Sequence, residues 1–208
     1  MLERLQLLKG IIMEMLKTKT ELLNHLQSIG LNSSNFDIAV EALIFKDDTI
    51  VLVLRGPGAR DEAYKLEGIG GKVGNQDENL LDRLQEEIKE EIGCMGHLQV
   101  RIEHLLEVRQ VSFIEKVTNE LKPWLILSHL CRYEDGEIFN CEPANHEDIK
   151  YLTLKQLYEW PEEPEFDKDG RLLKPGLSKS LIIGRETYKD KYKDHLYYQD
   201  SDKVELPK

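Results

Sequence analysis

A short acidic segment carries the residue types of this chain that are most able to do chemistry. Four glutamates, Glu86, Glu87, Glu90 and Glu91, fall within six residues and follow a glycine-rich turn that begins at Gly70. Like charges three and four residues apart on a helix repel each other by about 0.2–0.5 kcal/mol per pair. Such a cluster indicates a bound cation that offsets the repulsion, because Mg²⁺ and Mn²⁺ prefer oxygen ligands.

Helical spacing predicts how this segment divides its surface. Four apolar residues share one face, which has the width of an ordinary core stripe: Leu81, Leu84, Ile88 and Ile92. Glu87, Glu90 and Glu91 fall on the adjacent arc, and Arg83 lies one turn before Glu87 as an i,i+4 partner. A solvated acidic surface is the alternative, but the glycine turn directly before the helix favours a cation site.

Residues 70–94 resemble the Nudix box, whose pattern is G-x5-E-x7-R-E-U-x-E-E-x-G-U, with U a bulky aliphatic residue. Six positions match the family spacing: Glu78, Glu87, Ile88, Glu90, Glu91 and Gly93. Residues 70–73 resemble the GGK-aliphatic opening of the box, and residues 38–55 resemble the two strands that precede it.

Three positions depart from this pattern. Glu86 stands where the family has an arginine, the interval from Gly71 to Glu78 is one residue longer, and Cys94 replaces the last aliphatic residue. In the family the arginine helps to orient the catalytic glutamate. Arg83 is the residue of this chain that could replace it from the preceding turn.

The resemblance implies a fold and a reaction. The fold is a Nudix-type α/β/α sandwich with a mixed sheet, and the reaction is hydrolysis of the pyrophosphate bond of a nucleoside diphosphate linked to another moiety. Glu87, Glu90 and Glu91 would hold Mg²⁺ or Mn²⁺, and the carbonyl oxygen of Gly70 or Gly71 would add a ligand. A metal there would bridge phosphate oxygens and lower the pKa of a bound water.

Attack at phosphorus also needs a base, which in the family is a box glutamate or a glutamate on a later loop. Residues 145–149 resemble the glutamate-bearing loop of ADP-ribose-type members. Glu147 is therefore the first candidate for a distal base or ligand, and Glu142 is the second. An exposed acidic loop is the alternative interpretation of this segment.

The composition of the whole chain limits its class. Its 208 residues carry a net charge of −11, with 40% hydrophobic and 32% charged residues, which predicts one globular domain with extensions. The acidic balance argues against a nucleic-acid or anionic-membrane surface, since those contacts need clustered lysine and arginine. No apolar stretch approaches the roughly 18 residues of a membrane span, and we expect no signal peptide.

The cysteines predict a reducing compartment. Cys94, Cys131 and Cys141 are odd in number, well separated and without CxxC spacing. We therefore expect reduced thiols in a cytoplasmic protein, with neither a disulfide framework nor a zinc site.

The chain is predicted to have three parts: a helical extension in residues 1–35, a Nudix-like domain in residues 36–190 that contains the acidic segment, and a charged tail in residues 191–208. The second helix of the extension starts at a capping box formed by Thr18 and Glu21 and ends before Gly30. We expect the extension to pack on the core or on a second subunit, which would make a homodimer; a separate interaction module is the alternative.

Within the domain, alternating apolar patterns and turn residues predict five strands: residues 37–45, 49–55, 98–111 with a break near Arg109, 124–133 and 150–152. The predicted helices cover residues 154–160, with Thr153 as N-cap, and residues 178–188; the predicted loops cover residues 59–70, 117–122 and 161–169.

His129 is predicted to be a packed or edge residue and not a ligand. Arg55, Arg60 and Lys72 are the candidate substrate-binding residues beside the loop that faces the site.

Two alternatives to a metal-dependent hydrolase stay open. A Nudix-fold binding or regulatory protein would recognise a nucleotide with little turnover, which Glu86 favours and the three retained glutamates oppose. An isopentenyl-diphosphate isomerase-like enzyme would share the fold, but the chain has no convincing counterpart of that branch's cysteine-bearing active-site segment. The sequence also lacks P-loop, dinucleotide-binding, zinc and nucleophile-elbow motifs. The expected partner is a small nucleotide or other diphosphate.

Overall fold

The computed structural model describes most of the predicted domain and part of the extension. The described residues are 17–28, 30, 36–59, 61–74, 79–114 and 120–185. Several predicted features lie outside them: the first part of the helical extension in residues 1–16, Arg60, Glu78, residues 186–188 of the last predicted helix and the tail in residues 191–208.

The helices and strands have the following bounds. The helices are α1 (Lys19–Ser28), α2 (Leu80–Ile92) and α3 (Leu154–Glu159), and residues 179–185 are also helical. The strands are β1 (Asp37–Lys46), β2 (Thr49–Arg55), β3 (Lys65–Glu67), β4 (Ile69–Lys72), β5 (Gln99–Ile114), β6 (Leu121–Asp135), β7 (His146–Thr153), β8 (Glu165–Phe166), β9 (Leu172–Lys174) and β10 (Gly176–Leu177).

Side-chain caps mark where the helices begin. In the predicted capping box of α1, the Glu21 N–H group donates to Thr18 Oγ1 at 3.3 Å, and the Thr18 N–H group donates to Glu21 Oε2 at 3.0 Å. The Asn79 side chain accepts two backbone hydrogen bonds at the start of α2, and Thr153 caps α3 as predicted. Among the described residues, no helix is long and apolar enough to cross a membrane.

A mixed sheet of eight strands forms the centre of the domain. Its strand order is β10-β3-β2-β1-β6-β5, with β4 also paired to β1 and β7 also paired to β2. The β1–β6 and β10–β3 pairs are parallel, and the other pairs of this sheet are antiparallel. β8 and β9 form a separate two-stranded sheet. Strand β1 therefore holds three neighbours, β2, β4 and β6, in register.

Apolar side chains cover both faces of this sheet. On one face α1 and α2 pack against residues of β1 and β2 such as Val40 and Val53. On the other face α3 and the helical residues 179–185 pack against residues such as Leu43 and Leu52. Helices on both faces of a mixed sheet make an α/β/α sandwich, which confirms the predicted fold class.

Helix α2 buries three of the four predicted apolar residues, Leu84, Ile88 and Ile92, but not the fourth. Leu80 is buried and Leu81 is 46% exposed, so the core row runs through residues four apart: Leu80, Leu84, Ile88 and Ile92. The prediction that Leu81 belongs to the core is therefore wrong. The Asn79 cap starts the helix so that Leu80 points to the sheet, and a second row, Arg83, Glu87 and Glu91, lies beside the core row.

Some predicted loops and one predicted break are wrong. Residues 59–70 contain β3 and the start of β4, because these short strands pair with β2 and β1 despite a glycine content that disfavours strands. Strand β5 continues through Arg109 to Ile114, because buried glutamates compensate the arginine charge. Likewise, β6 begins within the predicted loop at residues 117–122, and β8 lies within the one at residues 161–169.

The prediction that all three cysteines are reduced is also wrong. Cys94 and Cys141 form a disulfide, with their Cα atoms 5.8 Å apart, and Cys131 is a buried free thiol. Burial raises the pKa of Cys131 to about 12. The bonded residues are 47 positions apart, so only the folded sheet brings the end of α2 to the segment after β6. The cytoplasmic location rested on reduced cysteines, so it remains a prediction that the disulfide does not support.

Reduction of the Cys94–Cys141 disulfide is expected to lower the stability of the domain. Its 47-residue separation corresponds to about 4 kcal/mol in the chain-entropy description of a cross-link, or roughly 10 °C in Tm for a protein of this size. Thermal denaturation with and without dithiothreitol measures the difference. The Cys94→Ser, Cys141→Ser double variant is the control, because its Tm should be low in both conditions. A wild-type Tm that does not respond to reductant would contradict the expectation.

Candidate active site

The second row of α2 joins one arginine to the carboxylates beside it. Arg83 forms an ion pair with Glu87, which is the predicted i,i+4 contact, and its nitrogen atoms also lie 3.2 Å from Glu86 and 3.4 Å from Glu90. Glu87 and Glu91 are each only 6% exposed, whereas the side chain of Glu90 is 53% exposed. Two of the three predicted ligand glutamates therefore face inward, and Glu90 stands at the rim.

Two glycines of β4 allow α2 to approach the sheet this closely. A Cβ atom on Gly71 would overlap the Glu87 carboxylate, and one on Gly70 would overlap the backbone of Val40 and Glu41 in β1. The Gly70 N–H group donates a hydrogen bond to Glu91 Oε2 at 3.2 Å. Glu87 and Glu91, two of the predicted ligands, thus lie against the backbone of these glycines, and the ligand role of a glycine carbonyl oxygen remains a prediction.

The environment of these carboxylates disfavours negative charge. Desolvation raises the pKa of Glu87, and the Arg83 guanidinium group opposes this shift. Desolvation also raises the pKa of Glu91 well above its ordinary value, and the nearby carboxylates of Glu67, Glu87 and Glu142 add to the rise. A divalent cation would offset both effects, because it would favour the ionised form of each ligand.

Two further groups come from the segment before β7 and from the first residue of β7. Ligand atoms of Glu91, Glu142 and His146 lie within 4.8 Å of one another. His146 is 5% exposed, and its Nδ1 atom has no hydrogen-bond partner. The donor set of two carboxylates and one imidazole fits a divalent cation, so the predicted requirement for Mg²⁺ or Mn²⁺ is consistent with the residues present.

Glu147 occupies a different position from the one expected of a distal ligand. It is exposed at the second position of β7, and it is not part of the group formed by Glu91, Glu142 and His146. Its neighbour His146 points inward because successive residues of a strand face opposite sides. Of the two predicted candidates in this segment, the structure brings Glu142 closer to the acidic helix, and the role of Glu147 remains a prediction.

A cleft of about 350 Å³ opens beside the glycines of β4. Its lining includes Gly70 and Gly71, two cations from β4 and β6, Lys72 and Lys122, and the aromatic ring of Trp124. The Lys72 ammonium group lies 2.6 Å from Asp37 Oδ1 and 5.3 Å from the centre of the Trp124 ring. Lys72, one of the predicted substrate-binding residues, is therefore half exposed within this cleft.

Arg55 also lines the cleft, but carboxylates already bind its guanidinium group. It pairs with Asp61 at 2.8 Å and with Glu67, which accepts two hydrogen bonds from Nη1 at 2.7 and 2.9 Å. Desolvation raises the pKa of Glu67 to about 7, although Arg55 favours the ionised form. The positive charge of Arg55 is therefore already paired with two carboxylates of the cleft wall, which leaves less of it for a phosphate group.

Sequence reasoning missed a buried charge network on the floor of the cleft. Arg109 forms ion pairs with Glu41 and Glu107, and its Nε donates to Ser180 Oγ at 3.1 Å. Ser180 Oγ in turn donates to Glu41 Oε1 at 3.2 Å. Two sequence features could have indicated this network: Glu41 interrupts an otherwise apolar strand, and Glu107 and Arg109 lie two apart, on one face of β5.

His129 is a packed residue, as predicted. Burial lowers its pKa to about 4, so the imidazole is neutral at physiological pH, and its Nδ1 atom lies 3.1 Å from the Leu127 carbonyl oxygen. It is not part of the group formed by Glu91, Glu142 and His146.

The fold and the site together define a class of protein: an α/β/α sandwich in which an acidic helix packs on a glycine-containing strand that lines a polar cleft. The sequence model described as NUDIX domain matches residues 35–174, which is more than half of the chain. The chain therefore belongs to the Nudix family and is a Nudix-type pyrophosphohydrolase. No curated protein gives a significant match to the sequence.

Solved structures of bacterial and archaeal proteins share the fold. The MutT NUDIX hydrolase from Burkholderia pseudomallei is 22% identical, with a TM-score of 0.50, over 72% of this chain and 95% of that one. A NUDIX hydrolase from Nitrosomonas europaea is 15% identical, with a TM-score of 0.53, over 75% and 90% of the two chains. The MutT protein from Methanosarcina mazei Go1 is 18% identical, with a TM-score of 0.52, over 76% and 96%. The structural similarity supports the fold, and sequence identities this low do not identify the substrate.

Replacement of Gly71 by alanine is expected to displace the Glu87 carboxylate, because the new methyl group would occupy its place. The end of a glutamate side chain can move, so the domain should still fold while Mn²⁺ affinity and turnover fall by about tenfold or more, a loss of about 1.4 kcal/mol. Gly74→Ala is the matched control, since a Cβ atom there meets nothing within 4 Å. Equal metal binding and turnover in the two variants would contradict this role of Gly71.

Proposed function

We propose that this protein is a divalent-cation-dependent hydrolase that cleaves the pyrophosphate bond of a nucleoside diphosphate linked to another moiety. The observation that carries this proposal is the burial of Glu87 and Glu91 against Gly70 and Gly71, at the edge of the cleft. Burial of carboxylates costs stability unless a cation or hydrogen-bond donors compensate it. A site that concentrates such groups beside a cleft is therefore built for a ligand that brings positive charge.

Glu87, Glu90 and Glu91 would hold Mg²⁺ or Mn²⁺, with the carbonyl oxygen of Gly70 or Gly71 as a further ligand. When bound, the cation would supply charge neutralisation of the pyrophosphate and a lowered pKa for a nearby water. Glu87 is the candidate catalytic residue of the helix, and Arg83 is its positioning residue, since their ion pair restrains the carboxylate. A distal base is assigned to Glu147 by the sequence, with Glu142 as the alternative.

The cleft would hold the rest of the substrate. Trp124 offers an aromatic surface, and base stacking on such a surface contributes about 1–3 kcal/mol per base. Lys72, which lies beside this ring and pairs with Asp37, is the predicted substrate-binding cation that would contact a phosphate group. We therefore assign the nucleoside to the Trp124 side of the cleft and the diphosphate to the side of Gly70 and Gly71.

A panel of nucleotide compounds with Mg²⁺ or Mn²⁺ tests the proposal: ADP-ribose, dinucleoside polyphosphates, sugar nucleotides and oxidised nucleotides. We expect release of a nucleoside monophosphate or of a shortened nucleotide, with turnover of the best substrate at least about tenfold lower in Glu87→Gln. Asp82→Asn is the control, because it makes the same chemical change on the exposed side of α2. Saturable nucleotide binding without turnover would instead support the binding-protein alternative.

Arg83→Ala is expected to reduce kcat by about tenfold with a smaller change in KM, because Glu87 would lose the partner that orients it. Glu86→Arg should leave turnover unchanged or raise it, since it restores the family residue and removes one repelling carboxylate. Mn²⁺ affinity is measured in parallel to separate orientation from relief of repulsion. Arg101→Ala, which removes only exposed ion pairs, is the control. An Arg83→Ala variant with unchanged kcat and metal affinity would show that Arg83 has no positioning role.

A further inference from the structure

We propose that Glu91, Glu142 and His146 form a mixed nitrogen–oxygen cation site that selects a first-row transition-metal ion such as Mn²⁺ over Mg²⁺. This inference rests on the proposed cation dependence of the protein and adds an imidazole ligand to it. It shares Glu91 with the acidic helix, takes Glu142 from the segment between β6 and β7, and takes His146 from the first position of β7.

The three groups converge as ligands of one ion must. Their ligand atoms lie within 4.8 Å of one another. Around a six-coordinate ion with bonds of about 2.1 Å, neighbouring ligand atoms are about 3 Å apart and opposite ones about 4.2 Å. Small rotations of these side chains would therefore bring all three atoms into one coordination sphere.

The missing hydrogen-bond partner of the buried His146 ring is a second, independent observation in favour of a bound cation. The residue is 5% exposed, and its Nδ1 atom is buried without a hydrogen-bond partner. Its Nε2 atom lies 3.9 Å from Glu67 Oε1, which is too far for a direct hydrogen bond. A buried polar atom left in this state is costly and rare in folded proteins. A bound cation would give the ring a partner that the protein itself does not provide.

The charges along α2 indicate where a cation is still needed. Arg83 pairs with Glu87 and lies 3.4 Å from Glu90, so this part of the helix already has positive charge. Among the described residues, no lysine or arginine forms an ion pair with Glu91, which accepts only a hydrogen bond from the Gly70 N–H group. Within the described part of the chain, Glu91 is thus a buried carboxylate of the helix without a cationic partner, and it is the one that faces Glu142 and His146.

Backbone contacts hold the two parts of this site together. The Cys141 N–H group donates to the Glu91 carbonyl oxygen at 2.8 Å, and the Cys94–Cys141 disulfide joins the same segments. The His146 N–H group donates to the Glu142 carbonyl oxygen at 2.8 Å, and Asn140 Nδ2 donates to the His146 carbonyl oxygen at 2.6 Å. The ligands are therefore pre-organised by backbone and cross-link, as metal sites require.

Imidazole in the donor set determines the preferred ion. Nitrogen ligands suit transition metals, whereas Mg²⁺ strongly prefers oxygen ligands and retains several waters. The His146→Gln variant is the sharpest test, because an amide oxygen can still bind Mg²⁺ while the nitrogen ligand is lost. We expect Mn²⁺ affinity to fall by at least about tenfold and Mg²⁺ affinity by less than about threefold.

The experiment adds Mn²⁺ below one equivalent to the full chain and records pulsed electron paramagnetic resonance. The expected result is a nitrogen hyperfine coupling from one imidazole in the wild-type protein and in His97→Gln, an exposed-histidine control, and its loss in His146→Gln. Calorimetric titrations with Mn²⁺ and Mg²⁺ give the affinity ratio of each variant. Circular dichroism confirms that His146→Gln is folded.

Two results would overturn the proposal. One is bound Mn²⁺ without nitrogen coupling in the wild-type protein, a measurement that does not depend on any variant. The other is an unchanged ratio of Mn²⁺ to Mg²⁺ affinity in folded His146→Gln, which would make the histidine a packing residue. Hydrolysis of the nucleotide panel is measured separately. Turnover without nitrogen coupling would leave the proposed hydrolase function intact and overturn only the cation site. Nitrogen coupling without turnover would contradict the proposed hydrolase function and leave the cation site intact.

Discussion

The site depends on one steric constraint, the lack of side chains at Gly70 and Gly71. Because these residues are glycines, β4 can pair closely with β1 while α2 rests its second row of side chains on the backbone of β4. Any larger residue at position 71 would compete with Glu87 for space, and any larger residue at position 70 would push against β1. The close approach of α2 to β4 buries the Glu87 carboxylate against Gly71, and both glycines line the cleft.

Electrostatic compensation divides the acidic helix into two unequal parts. Arg83 supplies a fixed positive charge to Glu87 and the rim residue Glu90, whereas Glu91 faces other carboxylates. Arg83, three residues before Glu86, pairs with Glu87 in this chain, and its replacement of the family arginine remains a prediction. The network at the floor of the cleft differs from the acidic helix in this respect. Arg109 forms ion pairs with both Glu41 and Glu107, so each of these two buried carboxylates has a cationic partner.

Features that depend on local spacing could be predicted from the sequence, and features that depend on distant pairing could not. The caps at Thr18 and Thr153 and the Arg83–Glu87 contact follow from residues three or four apart. One core position of α2 was predicted wrongly, because Leu80 and Leu81 are equally apolar and the start of the helix at the Asn79 cap determines which of them is buried. The disulfide, the strands β3 and β4 and the group of Glu91, Glu142 and His146 join residues whose proximity is created by the sheet, which no local pattern encodes.

The parallel pairing of β1 with β6 also has a consequence for the order in which the molecule assembles. Glu41 and Ser128, which meet across this pair, are 87 residues apart in the chain. Closure of so long a loop has a large entropic cost before any contact compensates it, so such pairings form slowly compared with local hairpins. The β1–β2 hairpin can form early, but the floor of the cleft cannot exist until β6 has docked. We therefore expect the helices and the β1–β2 hairpin to form before the binding site.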